Sequence, residues 1–362
     1  MLIAIVGATG DVGQATVRAL LALGLDRLRL GRRDAVQGAR CLAQWPAVPL
    51  HWQTVDVNDA SSLSRFAAGC DLLINCAGPA WRVADRCARA ALEAGAHYVD
   101  AAETLNPPSG WNLRCALSGA GLQPGLTGLL PRWLAGQGFV RVSGLISYFG
   151  LRDQFTQVAA DDFLHGATDG SSEPLAAWHN GRSSRALTRQ RDITLPGFPG
   201  TVQVLPYLND EGERLARQLH LETGHWFNVI TDGHVLKALD LAHALPRDEA
   251  ARRLRVASLL DLVGQAPFVR LWVQLDGDGD GRAMTRSALL SGTGNAALTG
   301  AMVAAAALSV LEGEIPSGWH HADQVLPPAA TLERLQTAGA VNAFTLLNSP
   351  IDDLHRAEEG SL

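Results

Sequence analysis

The sequence predicts an α/β fold in which helices cover both faces of a parallel sheet, followed by a second domain of mixed α+β type. Three observations predict it. Short apolar bursts alternate with amphipathic helical periodicity up to about residue 125. A glycine-rich segment, GATGDVG, carries Gly7, Gly10 and Gly13 between the first strand pattern and the first helix pattern. After Gly125 the alternation stops and longer strand-like segments begin.

Residues 2–6 form a continuous apolar strand pattern, Val17, Leu20, Leu21 and Gly24 recur at helical spacing, and 28–30 begin a second strand. That is one βαβ unit. Further strands are expected at 50–57, 71–76, 97–100 and a short one at 121–123, separated by helical patterns such as 80–94. Continuous apolar runs of this kind belong to strands covered on both faces, as in parallel sheets. Beyond them, 140–149 reads as a long strand, and 171–200 is rich in Gly, Ser, Arg and Pro. A strand at 226–231, helices at 234–244 and 248–263, and a strand pair at 269–275 and 283–290 follow. A helix of small residues over 297–311 is expected to pack back on the first domain.

The 362 residues are 47% apolar and 18% charged, enough for the packed cores of two domains at roughly 100 to 200 residues each. General disorder is excluded. Thirty Lys and Arg against 36 Asp and Glu leave a net charge of −6, without the basic excess that nucleic acid or an anionic membrane demands. Lys237 is the only lysine. The five cysteines (Cys41, Cys70, Cys76, Cys87 and Cys115) are odd in number and contain no C-x-x-C pair, so neither a disulfide framework nor a zinc ribbon is expected. The first residues lack the positive region of a secretory signal, and the apolar stretch 296–311 is shorter than the roughly 20 residues that span a bilayer. A cytoplasmic protein is expected.

Within the glycine loop each glycine has a physical role. Gly7 lets the chain turn at the strand end, Gly10 admits a diphosphate close to the backbone, and Gly13 lets the helix approach the sheet. Ala8, Thr9, Asp11 and Val12 complete the cradle, whose helix N-terminus offers N–H groups and a positive dipole to an anion. The second strand ends in Arg32 and Arg33, where a site selective for NAD usually places an acid; two guanidiniums suit a 2′-phosphate and favour NADP. Solvated surface arginines are the alternative, and Asp34 nearby is able to reach a ribose. Asp56 and Val57 close the third strand where adenine docks, and Cys76, Ala77, Gly78 and Pro79 close the fourth. A buried, inert thiol is the plainer reading of Cys76.

Competing motifs fail. The fourth residues after Tyr98, Tyr148 and Tyr207 are Ala102, Arg152 and Glu211, so Tyr-x-x-x-Lys is absent. Asp276, Asp278, Asp280 and Gly281 imitate a calcium loop, but Ser287 stands where the closing glutamate belongs, which leaves a hairpin turn. His220, Glu222 and His225 lack H-E-x-x-H spacing, His320 and His321 have no obvious ligand partners, and no G-x-S-x-G occurs. No metal site is expected.

Taken together, GATGDVG at 7–13, LGRRD at 30–34, INCAGP at 74–79, HYVDAAET at 97–104, GLQPGLTGLL at 121–130 and LTGAMVAAAALSVLEGEIPSG at 298–318 resemble the saccharopine dehydrogenase-like family of NAD(P)-dependent reductases. The resemblance implies a discontinuous Rossmann domain, residues 1–127 completed by 296–345, with an inserted mixed α+β substrate-binding and dimerisation domain over 128–295 and a tail from 346 to 362. It implies NADP-linked chemistry at a carbon–nitrogen double bond as one common theme, and a homodimer. Two departures stand out: Ala102 precedes Glu103 where family members often carry glycine, and the acid/base lysine of the lysine-forming enzymes has no evident counterpart.

Hydride transfer asks the protein to hold a nicotinamide against the acceptor carbon and to supply a proton. Tyr98 and Asp100 share one face of the fifth strand at its carboxyl end, with Glu103 just beyond. Two uses of that pair are open: proton donation, or a loop cap at Asp100 with Tyr98 in the core. Glu103 is a substrate contact or simply solvated. In the second domain Tyr148, His165, His179 and His225 are candidate substrate contacts, with Trp178 and Trp226 as flat walls; His179, in AWHNGR, is the preferred catalytic one and Arg182 a carboxylate ligand. The expected function is an NADPH-dependent reductase acting on an imine or related small molecule in a biosynthetic pathway, with proton donation from Tyr98, Asp100 or His179. A carbonyl or enoyl reductase on the same scaffold, or a binding protein that senses NADP without turnover, are the alternatives.

Overall fold

The computed structural model describes residues 1–46, 48–103, 106–231 and 233–353. The chain divides into two compact units, one of Met1–Leu126 with Ala296–Ala340 and one of Thr127–Asn295 with Val341–Leu362.

The first unit is a seven-stranded sheet, wholly parallel. Six of its strands are β1 (Ile3–Val6), β2 (Leu28–Arg32), β3 (His51–Thr54), β4 (Leu72–Asn75), β5 (His97–Asp100) and β6 (Cys115–Ser118). The seventh, Gly318–His321, pairs with β6, giving the order 318–321, β6, β5, β4, β1, β2, β3. The chain runs outward from β1 to β3 and then returns to β4, so the order reverses between β1 and β4, where ligands of doubly wound sheets bind. Register places Val6 beside both Gly31 and Asn75, and Asn75 beside Asp100, so these residues line the carboxyl edge. β1 and β4 are buried throughout, apolar but for Asn75 at the end of β4. The expected Rossmann-type doubly wound sheet is therefore present.

Helix α1 (Asp11–Ala22) follows the glycine loop, and the small-residue helix Asn295–Leu311 lies against it. A Cβ at Gly300 would stand 2.5 Å from the Thr16 amide nitrogen and 2.7 Å from Ala15 Cβ, so only glycine permits this helix-to-helix approach. The apolar stretch 296–311 is thus a core helix, and among the described residues no helix is long and apolar enough to cross a membrane.

Two expectations are corrected. The sixth strand is Cys115–Ser118, not 121–123, where Gly121 makes a single bridge with Gly125. The chain doubles back there: Gly119 and Gly125 have φ of +70° and +130°, and the Gly121 amide bonds the Pro124 carbonyl at 3.0 Å. The return segment ends at Ala340 instead of 345, because Val341–Leu347 joins the second sheet beside Arg282–Gly292. The expected tail from 346 accordingly begins inside that strand and continues to Ile351, which is buried in an apolar cluster with Val202, Phe227 and Trp272; 354–362 lie outside the described residues.

The second unit is built on a ten-stranded mixed sheet around β7 (Arg141–Arg152). β7 runs parallel to Thr223–Ile230 and antiparallel to Phe268–Gly279, which forms a hairpin with Arg282–Gly292. The acidic run at 276–281 is that hairpin's end: Asp276 accepts a hydrogen bond from Thr285 Oγ1 at 2.6 Å, as the rejection of a calcium loop implied. Helices Gln157–Gly166, Gly233–Ala242 and Arg247–Asp261 share a small apolar core of Ala160, Leu164, Ala251 and Leu254.

Replacing Gly300 with valine should cost about 1 to 3 kcal/mol or more, since the colliding atoms include α1 backbone. Urea denaturation of the full chain would read this as a lower midpoint, whereas Gly313→Ala, at a helix end with open space around it, tests only its positive φ.

Candidate functional site

Gly7 adopts φ +78°, and a Cβ there would lie 2.7 Å from the Ala77 nitrogen on the adjoining β4 loop. Gly13 is tighter still: its Cβ would meet the Gly7 carbonyl oxygen at 2.2 Å. These two glycines are demanded by the protein's own packing. At Gly10 the nearest atom to an added Cβ is the Gly7 oxygen at 3.4 Å, an ordinary contact, so the protein itself leaves room for a side chain there. Gly10 is the N-cap of α1 and provides no capping side chain. The first N–H groups of α1 therefore open onto an exposed glycine instead of a capping oxygen, the arrangement that receives a phosphate.

Arg32 reaches back over this loop, Nη1 donating to Thr9 Oγ1 at 2.6 Å. Arg33 is exposed and makes no hydrogen bond or ion pair among the described residues. Asp34 is otherwise engaged, since its Oδ1 accepts from the amides of Val36 and Gln37 and caps Ala35–Leu42. The Arg32 guanidinium lies on the loop, with Arg33 exposed next to it in sequence. β3 ends at Thr54, so Asp56 and Val57 lie in the loop beyond it, half-buried; Asp56 accepts from the Asn58 amide at 3.0 Å. On the β4 loop Cys76 Sγ meets Thr16 Oγ1 at 3.4 Å, and burial pushes its thiol up to about 12, so it is inert as a nucleophile or acid. Ala77 donates its amide to Asn75 Oδ1 at 3.0 Å, and Gly78 and Pro79 lead into the helix Ala80–Glu93 (α4).

Asn75 connects that loop to a sealed carboxyl group. Its Nδ2 donates to Asp100 Oδ2 at 3.0 Å, the Ala102 amide donates to Oδ1 at 2.9 Å, and Tyr98 Oη lies 2.5 Å from Oδ2. Tyr98 and Asp100 do share a strand face, but that face is turned to α4, where Tyr98 Oη also lies 3.2 Å from the Ala84 carbonyl. Tyr98 is 0% and Asp100 1% exposed, and the Tyr98 ring packs in one aromatic cluster with Trp111 and Trp319. A direct proton donation from either is contradicted by this burial. Asp100 caps the turn after β5 and Tyr98 is core. Burial raises the Asp100 carboxyl to about 6, against the lowering effect of its hydrogen bonds, and drives the Tyr98 phenol well above its ordinary value.

Glu103, just past the Asp100 turn, is half-exposed and has its Oε1 3.2 Å from Nδ1 of His321, the last residue of the 318–321 strand. The sequence pattern gave His321 no partner. The pairing is made by the sheet, which sets His321 beside Ser118 at the carboxyl edge.

In the second unit most candidates have structural roles. Arg182 bonds Glu213 and lies within 3.4 Å of Asp210 and 3.8 Å of Glu173, so its charge is already answered by three carboxylates and it is not a free carboxylate ligand. Trp178 is buried, donating Nε1 to the Leu221 carbonyl at 2.9 Å, and does not form a wall. Tyr148 is half-buried and stacks on Phe227 at 5.0 Å. His179 is exposed, its ring 5.8 Å from that of His225, whose basicity is lowered by burial and by the His179 charge. His165 Nδ1 contacts Arg247 at 3.0 Å. Among the described residues no cluster of His, Cys, Asp and Glu suits a metal ion.

Residues 3–117 match the family of saccharopine dehydrogenase NADP binding domains. Among solved structures, saccharopine dehydrogenase (L-Glu forming) from Saccharomyces cerevisiae aligns with a TM-score of 0.67 at 17% identity, covering 95% of this chain and 99% of that one, a likeness of fold. Triphenylmethane reductase from Citrobacter sp. aligns over 29% of this chain and 38% of its own at 22% identity and a TM-score of 0.26, too low to bear on the fold. No curated protein sequence matches the chain.

The matched domain is an NADP-binding one, which makes NADP(H) the cofactor. Its residues fit the group: the uncapped α1 terminus and the room at Gly10 suit a diphosphate, and Arg32 and Arg33 suit a 2′-phosphate.

The Asp100 carboxyl yields a signed pH dependence. Its folded pKa lies above the unfolded value, so it stabilises the fold at low pH and that contribution is lost as pH rises from about 4 through about 6. The margin in unfolding free energy of wild type over Asp100→Asn should therefore shrink by roughly 3 kcal/mol at most between pH 4 and pH 7, at 1.36 kcal/mol per pKa unit. Urea denaturation at the two pH values checks it, and a margin that grows with pH would contradict it.

Proposed function

We propose that the protein reduces a carbon–nitrogen double bond in a small biosynthetic metabolite with NADPH, as a cytoplasmic homodimer. The observation that carries the cofactor half is the open N-terminus of α1 with Arg32 drawn over it to Thr9. The choice of C=N over C=O or C=C is supported by the yeast enzyme of the same fold, a saccharopine dehydrogenase that forms L-Glu. NADPH supplies the hydride when bound. The chain's part is to hold it: α1 amides take the diphosphate, Arg32 and Arg33 the 2′-phosphate, and Asn75 fixes the Ala77 amide so that the β4 loop keeps its course past Gly7. Glu103 stands at the carboxyl edge as a contact for the substrate.

Support for the dimer lies on the helix Arg247–Asp261 and just beyond it. Val256, Leu260 and Val263 are 51%, 49% and 75% exposed at i, i+4, i+7 spacing, an apolar stripe that a second copy of the same chain would cover.

Arg32→Ala with Arg33→Ala should weaken NADPH binding by at least about tenfold, given about 1.5 to 3 kcal/mol for each hydrogen bond to a charged group, and leave NADH binding nearly unchanged. Titration of NADPH fluorescence is the measurement, and equal losses for the two coenzymes would refute the phosphate assignment. Stopped-flow oxidation of NADPH with a cyclic imine, a ketone and an enoyl ester ranks the three electrophiles; preference for the ketone or the enoyl ester would replace the C=N reading. Light scattering of Val256→Glu with Leu260→Glu should give a monomer where wild type gives a dimer.

A further inference from the structure

We infer that Arg270 and Arg152 of the second unit hold the carboxylate of a small organic acid with an apolar body. The register sets both on one face of the sheet: Arg152 ends β7 opposite Phe268, and Arg270, two residues further on, stands opposite Gly150. Both guanidiniums lie over Phe268, Cζ of Arg152 5.4 Å and Cζ of Arg270 5.0 Å from its ring centroid. Arg270 also lies over Phe198, at 5.9 Å, and the two phenylalanine rings meet edge to face at 6.4 Å. Phe198 comes so near the sheet because position 150 is glycine, where a Cβ would stand 2.6 Å from its ring. On the next strand Ser291 pairs with Arg270 in register and is half-exposed.

Arg270 is half-buried, and what surrounds it is two rings and a second cation. Burial and the Arg152 charge hold its basicity below the ordinary value. A bonded carboxylate shifts an arginine the other way, as at Arg182, whose basicity is raised by Glu213. Arg152 donates Nη1 to the neutral amide oxygen of Gln265 at 2.9 Å. Aromatic faces attract a guanidinium by its plane and leave its N–H edge to an acceptor. A carboxylate at that edge relieves the repulsion between the two cations and accepts charge-assisted hydrogen bonds. What adjoins the arginines sets the class of acid. Phe198 and Phe268 belong to the cluster of Val202, Phe227, Val229 and Trp272, so the body of the ligand meets apolar side chains, which suit an organic acid and not inorganic phosphate.

Isothermal titration calorimetry of the full chain in Tris chloride tests the site with three probes: benzoate, its neutral amide benzamide, and inorganic phosphate. Wild type should bind benzoate, bind benzamide at least about tenfold more weakly, and prefer benzoate to phosphate. Arg270→Gln should weaken benzoate binding at least about tenfold, while NADPH binding, which belongs to the first unit and is read by fluorescence, stays as in wild type. Should Arg270→Gln not fold, Arg152→Gln takes its place with the same expected direction. Wild type that binds no benzoate, or a folded variant that binds it as tightly as wild type, would overturn the site, and tighter binding of phosphate would overturn the organic acid. None of these results touches the NADPH reductase reading, which fails on its own if wild type binds no NADPH.

Discussion

The contact between the Gly7 carbonyl and the backbone of α1 at Gly13 is the constraint on which the site depends. No side chain fits between them, so the helix starts at the loop itself and its N–H groups stand where the strand ends. The loop is held from two more sides: the Gly31 carbonyl on β2 accepts the amides of Gly7 and Ala8, and the β4 loop at Cys76 and Ala77 presses against Gly7. One turn further along α1, Gly300 lets the Asn295–Leu311 helix close on Ala15 and Thr16. The orientation of the helix dipole is thereby set by backbone contacts, which do not adjust as side chains do.

How much was legible in the sequence follows from how local each signal is. The glycine loop was legible because its three glycines, the strand before it and the helix after it fall within about twenty residues. Alternation correctly put Tyr98 and Asp100 on one face, yet it is silent on what that face meets, and here it meets α4 and two tryptophans. Arg182 looked free because the three carboxylates around it come from Glu173, Asp210 and Glu213, scattered over some forty residues. His321 and Glu103 are more than two hundred residues apart, and only the pairing of the last parallel strand with β6 unites them. The sixth strand, CALS, follows a loop at 106–114 instead of a helix, so the strand–helix alternation that marks the others does not announce it.

The Asp100 network shows why a carboxyl group is tolerated at the centre of the sheet. Tyr98 has one hydroxyl proton and two acceptors within reach, Asp100 Oδ2 and the Ala84 carbonyl. With Asp100 ionised, the proton goes to the carboxylate and the Ala84 carbonyl loses a partner. With Asp100 protonated, its own hydrogen serves the Tyr98 oxygen, and the Tyr98 proton is released to Ala84. Desolvation favours the neutral form and outweighs the hydrogen bonds from Tyr98, Asn75 and Ala102, which favour the ionised one. Asn75 reads the same carboxyl with its Nδ2 and holds the Ala77 amide with its Oδ1, so the sealed group braces the loop that Gly7 packs against.

Asp100 and Glu103 are three residues apart and carry the same functional group, but the backbone gives them opposite circumstances. Asp100 is the last residue of β5, fixed in register between β4 and β6 and hidden by α4, so exchanging protons with a substrate would require opening the sheet's edge. Glu103 lies beyond the turn that Asp100 caps, half-exposed, with a histidine at its carboxylate. The cap connects the two situations: the Ala102 amide bonded to Asp100 Oδ1 determines where the chain leaves the strand, and hence where Glu103 emerges. Proton exchange needs a group that meets solvent or substrate, and at this end of the sheet the outer carboxylate has that exposure while the inner one, sealed, supplies the rigidity beneath it.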